Sequence, residues 1–142
     1  MTSLLSPEQR ATFAGIADFL IPNAEGMPSA SEVGVQGPIL DRVLSLRPDL
    51  SEAFFRGLAK SIGHSAVDAT NALNSGDHEA FGAISLVASA AYYMVPRVRE
   101  LIGYPGQESR PDPDPDATPP YVANGMLQHV IDRGPIYKST PK

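Results

Sequence analysis

Three histidines, His64, His78 and His129, are the side chains of this chain best able to bind a metal or move a proton near neutral pH, and they lie far apart in the sequence. Only His78 has acidic neighbours, Asp77 and Glu79. Adjacent residues on a helix point about 100° apart, so this trio does not have the spacing of a metal-ligating face. The histidines read as surface or helix-end residues. No cysteine is present, which excludes a thiolate nucleophile, a disulfide framework and a cysteine-based metal site. No Gly-x-Ser-x-Gly elbow occurs, and "AEG", "SGD" and "GYPG" are isolated turns with no glycine-rich cradle for phosphate. The acidic run "PDPDPD" lacks the glycine and terminal glutamate of a calcium-binding loop, and its prolines hold the carboxylates apart; it reads as a solvated linker. No residue is therefore assigned a catalytic, cofactor-binding or metal-ligating role.

The stretch "AYYMVPRVRELIGYPG" has a different character. Tyr92 and Tyr93 cannot face the same side of a helix, so one of them is expected to present its ring or hydroxyl outside the buried stripe. Arg97 and Arg99 follow on the next turn. Tyrosine and arginine together are the composition of an interface hot spot. The plainer reading is that one tyrosine closes the core and both arginines are solvated.

The elements that position this stretch are helical. Ser6, Pro7 and Gln9 form a helix start with a capping box, and Phe13, Ile16, Ala17, Leu20 and Ile21 give one buried face over residues 6 to 21. Pro22 ends it and "NAEGMPSA" is a loop. A second pattern starts at Ser29, capped by Ser29 with Glu32 or by Ser31. It runs through Val35, Ile39, Leu40, Val43 and Leu44, and Gly37-Pro38 is expected to kink or split it. Leu50, Phe54, Leu58 and Ile62 mark a third helix to about Gly63, with a bent continuation through Val67 to Leu73. Asn74 to Asp77 reads as a turn, Asp77 capping the next helix, residues 78 to 94, the most apolar of the chain. Pro96 ends that helix and starts a short one, which Gly103 closes and Pro105 prevents from continuing. No alternating β pattern and no internal repeat appear. The fold class is all-α, a small irregular bundle of about five helices with an extended Pro-rich C-terminal arm.

Three segments follow: a helical domain over residues 1 to 106, a Pro/Asp-rich linker over 107 to 120, and a docking arm over 121 to 142. The ten linker residues from Pro111 span roughly 30 Å if they adopt a polyproline conformation. In the arm, Met126, Leu127, Val130 and Ile131 make a short amphipathic helix that Gly134 stops, with Ile136 and Tyr137 beyond. A helix this short is unstable alone in water and needs a surface, on this domain or on another chain. The residues expected at a partner interface are Tyr92, Tyr93, Arg97, Arg99, Tyr104, Tyr121, Met126, Leu127, Val130, Ile131, Ile136 and Tyr137.

Charge narrows the partner class. With 11 basic against 16 acidic residues and a net charge of −5, the chain is not built to neutralise phosphates or to dock on an anionic membrane. No window reaches the roughly 18 apolar residues of a membrane helix. "MTSLLSPEQR" lacks a basic region followed by an apolar one, so a cytoplasmic location is expected.

Taken in order, "LSPEQRATFAGIADFLIP", "SASEVGVQGPILDRVL" and "AYYMVPRVRELIGYPG" resemble the gluconate 2-dehydrogenase subunit 3 family over residues 5 to about 106, and "RGPIYK" is similar to the ending of some of its members. The resemblance implies a non-catalytic, helical small subunit that stabilises or helps mature a large flavoprotein of the glucose-methanol-choline type. FAD and the catalytic histidine would belong to that partner, which would oxidise a sugar or glycoside hydroxyl. Many members of the family carry a twin-arginine export signal; none is seen here, so a cytoplasmic two-subunit enzyme is the expectation. Two other readings stay open: a free-standing all-α enzyme or small-molecule-binding domain with a closed pocket near Tyr92 and Arg97, and a homodimer that swaps its tails.

Overall fold

A computed structural model of the chain describes residues 5–109 and 116–137. They form eight helices and no strand; the only extended pairing among them is an isolated bridge between Ala24 and Met27. The protein is all-α, as its sequence pattern requires. The chain divides into two compact units, Met1–Gly106 and Gln107–Lys142.

Helix α1, Pro7–Leu20, starts where its capping box dictates. The Gln9 amide donates to Ser6 Oγ at 3.2 Å, and the Ser6 amide donates to Gln9 Oε1 at 2.8 Å. Two of the amides that every helix start leaves unpaired are thus satisfied. The helix buries Phe13, Ile16 and Ala17.

The segment after Pro22 departs from the expected helix. Residues 30 to 36 form turns, Gly37 a bend, and helix α2 spans only Pro38–Leu46. Two sets of contacts from α1 and one backbone turn explain the difference. Glu32 Oε2 accepts from the Ser29 amide at 2.6 Å, as in a capping box, but Ser31 is held from outside: Asp18 on α1 accepts from its amide at 2.7 Å and its hydroxyl at 2.6 Å. Gly34 then takes φ 78°, outside the helical region. Lastly, the Arg10 guanidinium donates to the Gln36 and Gly37 carbonyls at 2.6 and 3.0 Å and to both Asp41 oxygens at 2.7 Å, tying the end of the turns and the start of α2 to α1. Val35 and Leu40 are nevertheless fully buried, because the turns keep the apolar positions facing inward.

After a 3-10 turn at Pro48–Leu50, helix α3 spans Ser51–Ser61 and α4 spans Ala66–Gly76. The expected bent continuation of α3 is two separate helices, because Gly63 at φ 81° turns the chain and Ser65 caps a new start, its Oγ accepting from the Asp68 amide at 3.1 Å. Helix α4 also runs through the expected turn at Asn74 to Gly76. Asp77 closes it, donating its amide to Leu73 O at 2.8 Å, and opens helix α5, His78–Met94, by accepting from the Ala80 amide at 3.1 Å.

Helix α5 is the central element and packs against α1, α2, α3 and α4. Its alanines permit close approach, tightest at Gly57 of α3, where a Cβ would stand 2.8 Å from Ile84 Cδ1 and 3.1 Å from Ala80 Cβ. Phe13 and Phe54 meet edge to face, centroids 5.5 Å apart, between α1 and α3. Val95 then releases the chain into helix α6, Pro96–Leu101, which buries Val98, and Gly103 at φ 67° closes it.

In the second unit, helix α7 spans Pro120–Ala123, which the linker reading did not foresee, and helix α8 spans Gln128–Arg133. Met126 and Leu127 precede α8, because Gly125 sits at φ 81° and the Met126 amide donates to Asn124 Oδ1 at 3.1 Å, making a turn first. Gly134, at φ 68°, ends α8 as expected. Residues 110 to 115 of the proline-rich spacer and 138 to 142 of the arm lie outside the described residues.

Candidate partner-contact surface

The end of α5 decides which tyrosine faces out. Ile84, Val87, Ala88 and Ala91 are fully buried, and Tyr92 continues that stripe, whereas Tyr93 falls about 100° further round. Tyr92 is 3% exposed and its hydroxyl donates to the Pro28 carbonyl at 2.7 Å. Tyr92, expected at the surface, is therefore buried within its own chain. Burial pushes its phenol pKa up, and Tyr93 and the Glu32 carboxylate add to the shift. Tyr93 is 55% exposed and stacks edge to face on Tyr92, centroids 5.5 Å apart at 84°. The inner ring thus fixes the outer one.

On α6, Val98 anchors the helix while Arg97, Leu101 and Ile102 stay at the surface, and Tyr104 beyond Gly103 is half exposed. Arg97 and Leu101, four residues apart, share one flank. Arg97 lines an open cleft of about 360 Å³ with Asn23, Gly26, Pro28, Glu32 and Val33. Glu32 is held below the usual carboxylate range by the Asn23 side-chain amide, at 2.9 Å, and next by the Ser29 amide. Both donors use Oε2. Arg99 is half-buried, and its Nε is shielded from solvent with no hydrogen-bond partner.

The arm residues Tyr121, Met126, Val130, Ile131, Ile136 and Tyr137 are each more than half exposed, and Leu127 is partly buried.

A second charged cluster, where α3 meets the start of α5, is structural. Arg56 and Lys60 of α3 reach Asp77 at 3.1 and 2.6 Å, and Arg56 also reaches Glu79 at 2.6 Å. Hydrogen bonds from Arg56, then Lys60 and the Ala80 amide, hold Asp77 far below the usual carboxylate range. This lashes the α4–α5 corner to α3. His64, His78 and His129 are exposed. Among the described residues no group of three or more His, Asp or Glu side chains is placed to hold a metal ion, and no helix is long and apolar enough to cross a membrane.

Comparison with protein-family models, curated proteins and solved structures gives no match. The surface must be read from its own chemistry. Sequence reasoning singled out Tyr93, Arg97 and Tyr104, which are exposed, but not the opposite wall of the cleft, Asn23 to Val33, because the pairing of a loop with a helix 64 positions further on leaves no local pattern. Glu32 three residues after Ser29 was the one local sign that this loop is structured.

Proposed function

We propose that this protein is a non-catalytic small subunit that binds and stabilises, or helps mature, a large FAD-dependent dehydrogenase acting on a sugar or glycoside hydroxyl. FAD and the reacting groups belong to the partner, and this chain supplies surface. The observation that carries the reading is the corner between α5 and α6. Tyr93, Leu101, Ile102 and Tyr104 are each 45% exposed or more within twelve residues, on a backbone fixed by Pro96, Val98 and Gly103. A rigid cluster of exposed aromatic and aliphatic side chains beside arginine is the composition of a contact hot spot. The resemblance to the gluconate 2-dehydrogenase subunit 3 family supports the choice of partner. The exposed apolar residues of the arm add a second contact segment, since a helix as short as α8 gains stability only against a surface.

The test is co-expression with a flavoprotein of the glucose-methanol-choline type from the same genome, followed by size-exclusion chromatography. A yellow complex containing both chains is the expected result. Removing residues 121 to 142 should leave the helical content of the first unit nearly intact and weaken the complex strongly; equal affinity without the arm would count against its role.

A second reading rests on the cleft itself, where Glu32 and Arg97 face a common space. There the protein is a small-molecule-binding domain. Loss of ligand binding in Arg97→Ala with no change in oligomeric state would favour it over the subunit reading.

A further inference from the structure

The cleft has a donor wall, Arg97, and an acceptor wall, Glu32, whose carboxylate is only partly used by its own chain. Arg97 is exposed on α6 and forms no ion pair or hydrogen bond among the described residues. In the same unit Arg10, Arg47, Arg56 and Lys60 each hold a carboxylate, whereas Arg97, like Arg42 on α2, does not; of these two unpaired guanidinium groups Arg97 is the one that lines the cleft. Opposite Arg97, the Glu32 Oε2 atom is occupied by Asn23 and Ser29, and those two bonds fix the carboxylate so that Oε1 keeps a free lone pair. Val33 and Pro28 give the cleft an apolar portion.

We propose that this cleft is a docking notch for an acidic, extended segment of a partner protein: an Asp or Glu carboxylate pairs with Arg97, a backbone amide of the same segment donates to Glu32 Oε1, and a neighbouring apolar side chain packs on Val33 and Pro28. The proposal deepens the reading above, since it rests on the α5–α6 corner meeting a protein. The acid follows from the unpaired guanidinium, which recognises a carboxylate through two parallel N–H donors. A peptide follows from the fixed acceptor across the cleft, which needs an N–H donor that neither phosphate nor a lipid headgroup phosphate provides. A macromolecular occupant follows from Tyr93, Leu101, Ile102 and Tyr104, which a ligand confined to about 360 Å³ would leave uncovered.

The test uses the full chain, labelled for amide NMR, and three probes: the capped tripeptide acetyl-Leu-Asp-Leu-amide, its Asn counterpart, and free aspartate. The acidic tripeptide should shift the amides of Val33, Arg97 and Leu101 saturably, with the Asn peptide about fivefold weaker or more. Arg97→Glu should abolish binding, Arg97→Lys should retain part of it, and Arg42→Ala, which removes an exposed cation from α2, should leave it unchanged. Equal binding of the Asp and Asn peptides, equal binding to Arg97→Glu, or free aspartate binding as well as the capped peptide would each overturn the proposal, the last by making the cleft a small-molecule site. Retention of the flavoprotein separates the two levels. If the acidic peptide binds through Arg97 and no flavoprotein is retained, the notch stands and the dehydrogenase reading falls. If the flavoprotein is retained equally by Arg97→Glu, the notch falls and the dehydrogenase reading stands.

Discussion

The Tyr92 hydroxyl donates to the Pro28 carbonyl at 2.7 Å, joining the last turn of the longest helix to the loop 64 positions earlier that forms the far wall of the cleft. The same ring supports Tyr93 from below. One buried side chain therefore shapes both parts of the proposed contact surface.

Tyr92→Phe should lower stability by about 1 kcal/mol, because the Pro28 carbonyl loses its donor while the ring still fills its site. For a unit of this size that corresponds to a fall in Tm of about 5 °C by calorimetry. The phenol pKa is raised above its ordinary 10.0 in the folded protein. The unfolded chain therefore releases this proton first as pH rises, and the stability Tyr92 contributes is full below pH 10 and lost above it. Denaturant unfolding from pH 8 to 11 should show a shallower alkaline decline in Tyr92→Phe than in the parent.

Asp77 should be the most acid-sensitive carboxylate of the first unit. Its pKa is depressed by Arg56, Lys60 and the Ala80 amide. The sign is opposite to that of Tyr92: its stabilisation is full above the unfolded value of 3.8 and declines as pH falls below it. Asp77→Asn keeps a side chain able to cap α5 but loses both ion pairs, and Asp77→Ala loses all three contacts. Thermal melts at pH 7 should rank parent above Asn above Ala, and the parent's loss between pH 5 and pH 2 should flatten in both variants.

Two glycine substitutions should move stability in opposite directions. Gly57→Ala forces a methyl against Ile84, which is fully buried and has little room to yield, and against Ala80. Overpacking of about 1–3 kcal/mol outweighs the helix propensity gained. Gly82→Ala, exposed on α5 with nothing within 4 Å of the new carbon, should stabilise by about 0.5–1 kcal/mol. Chemical denaturation of the pair reads both.

Arg99→Met should leave the isolated chain unchanged or stabilise it by up to about 1 kcal/mol, because it keeps the apolar stem and removes the shielded, unpaired Nε donor. A matching loss of partner affinity would place Arg99 in the contact; unchanged affinity would leave it outside.

Much of the helical framework was legible because its signals are local. Ser6, Pro7 and Gln9 start α1, Asp77 starts α5, and Pro96 and Gly103 bracket α6, each at the position its chemistry requires. The failures are long-range or conformational. Residues 29 to 37 carry a helical pattern and a capping pair, yet Asp18 and Arg10 reach in from α1 and hold them as turns. Gly63 separates α3 from α4 although the apolar spacing alone would allow one bent helix. The choice of Tyr92 as the inner ring was present in the stripe of Ile84, Val87, Ala88 and Ala91, which extends to position 92 and not to 93. The cleft was not readable, since it exists only when the loop from Asn23 to Val33 meets α6.

The most direct test of the central claim is the thermal midpoint and FAD content of a glucose-methanol-choline-type flavoprotein from the same genome, purified with and without this chain. A subunit that binds the folded flavoprotein raises its midpoint by mass action. The account predicts a joint complex with a higher midpoint and fuller FAD occupancy, both reduced when Tyr93, Leu101 and Tyr104 are replaced by alanine. A flavoprotein whose midpoint and FAD content are the same in both preparations, with this chain eluting alone at its own 15.1 kDa, would contradict it.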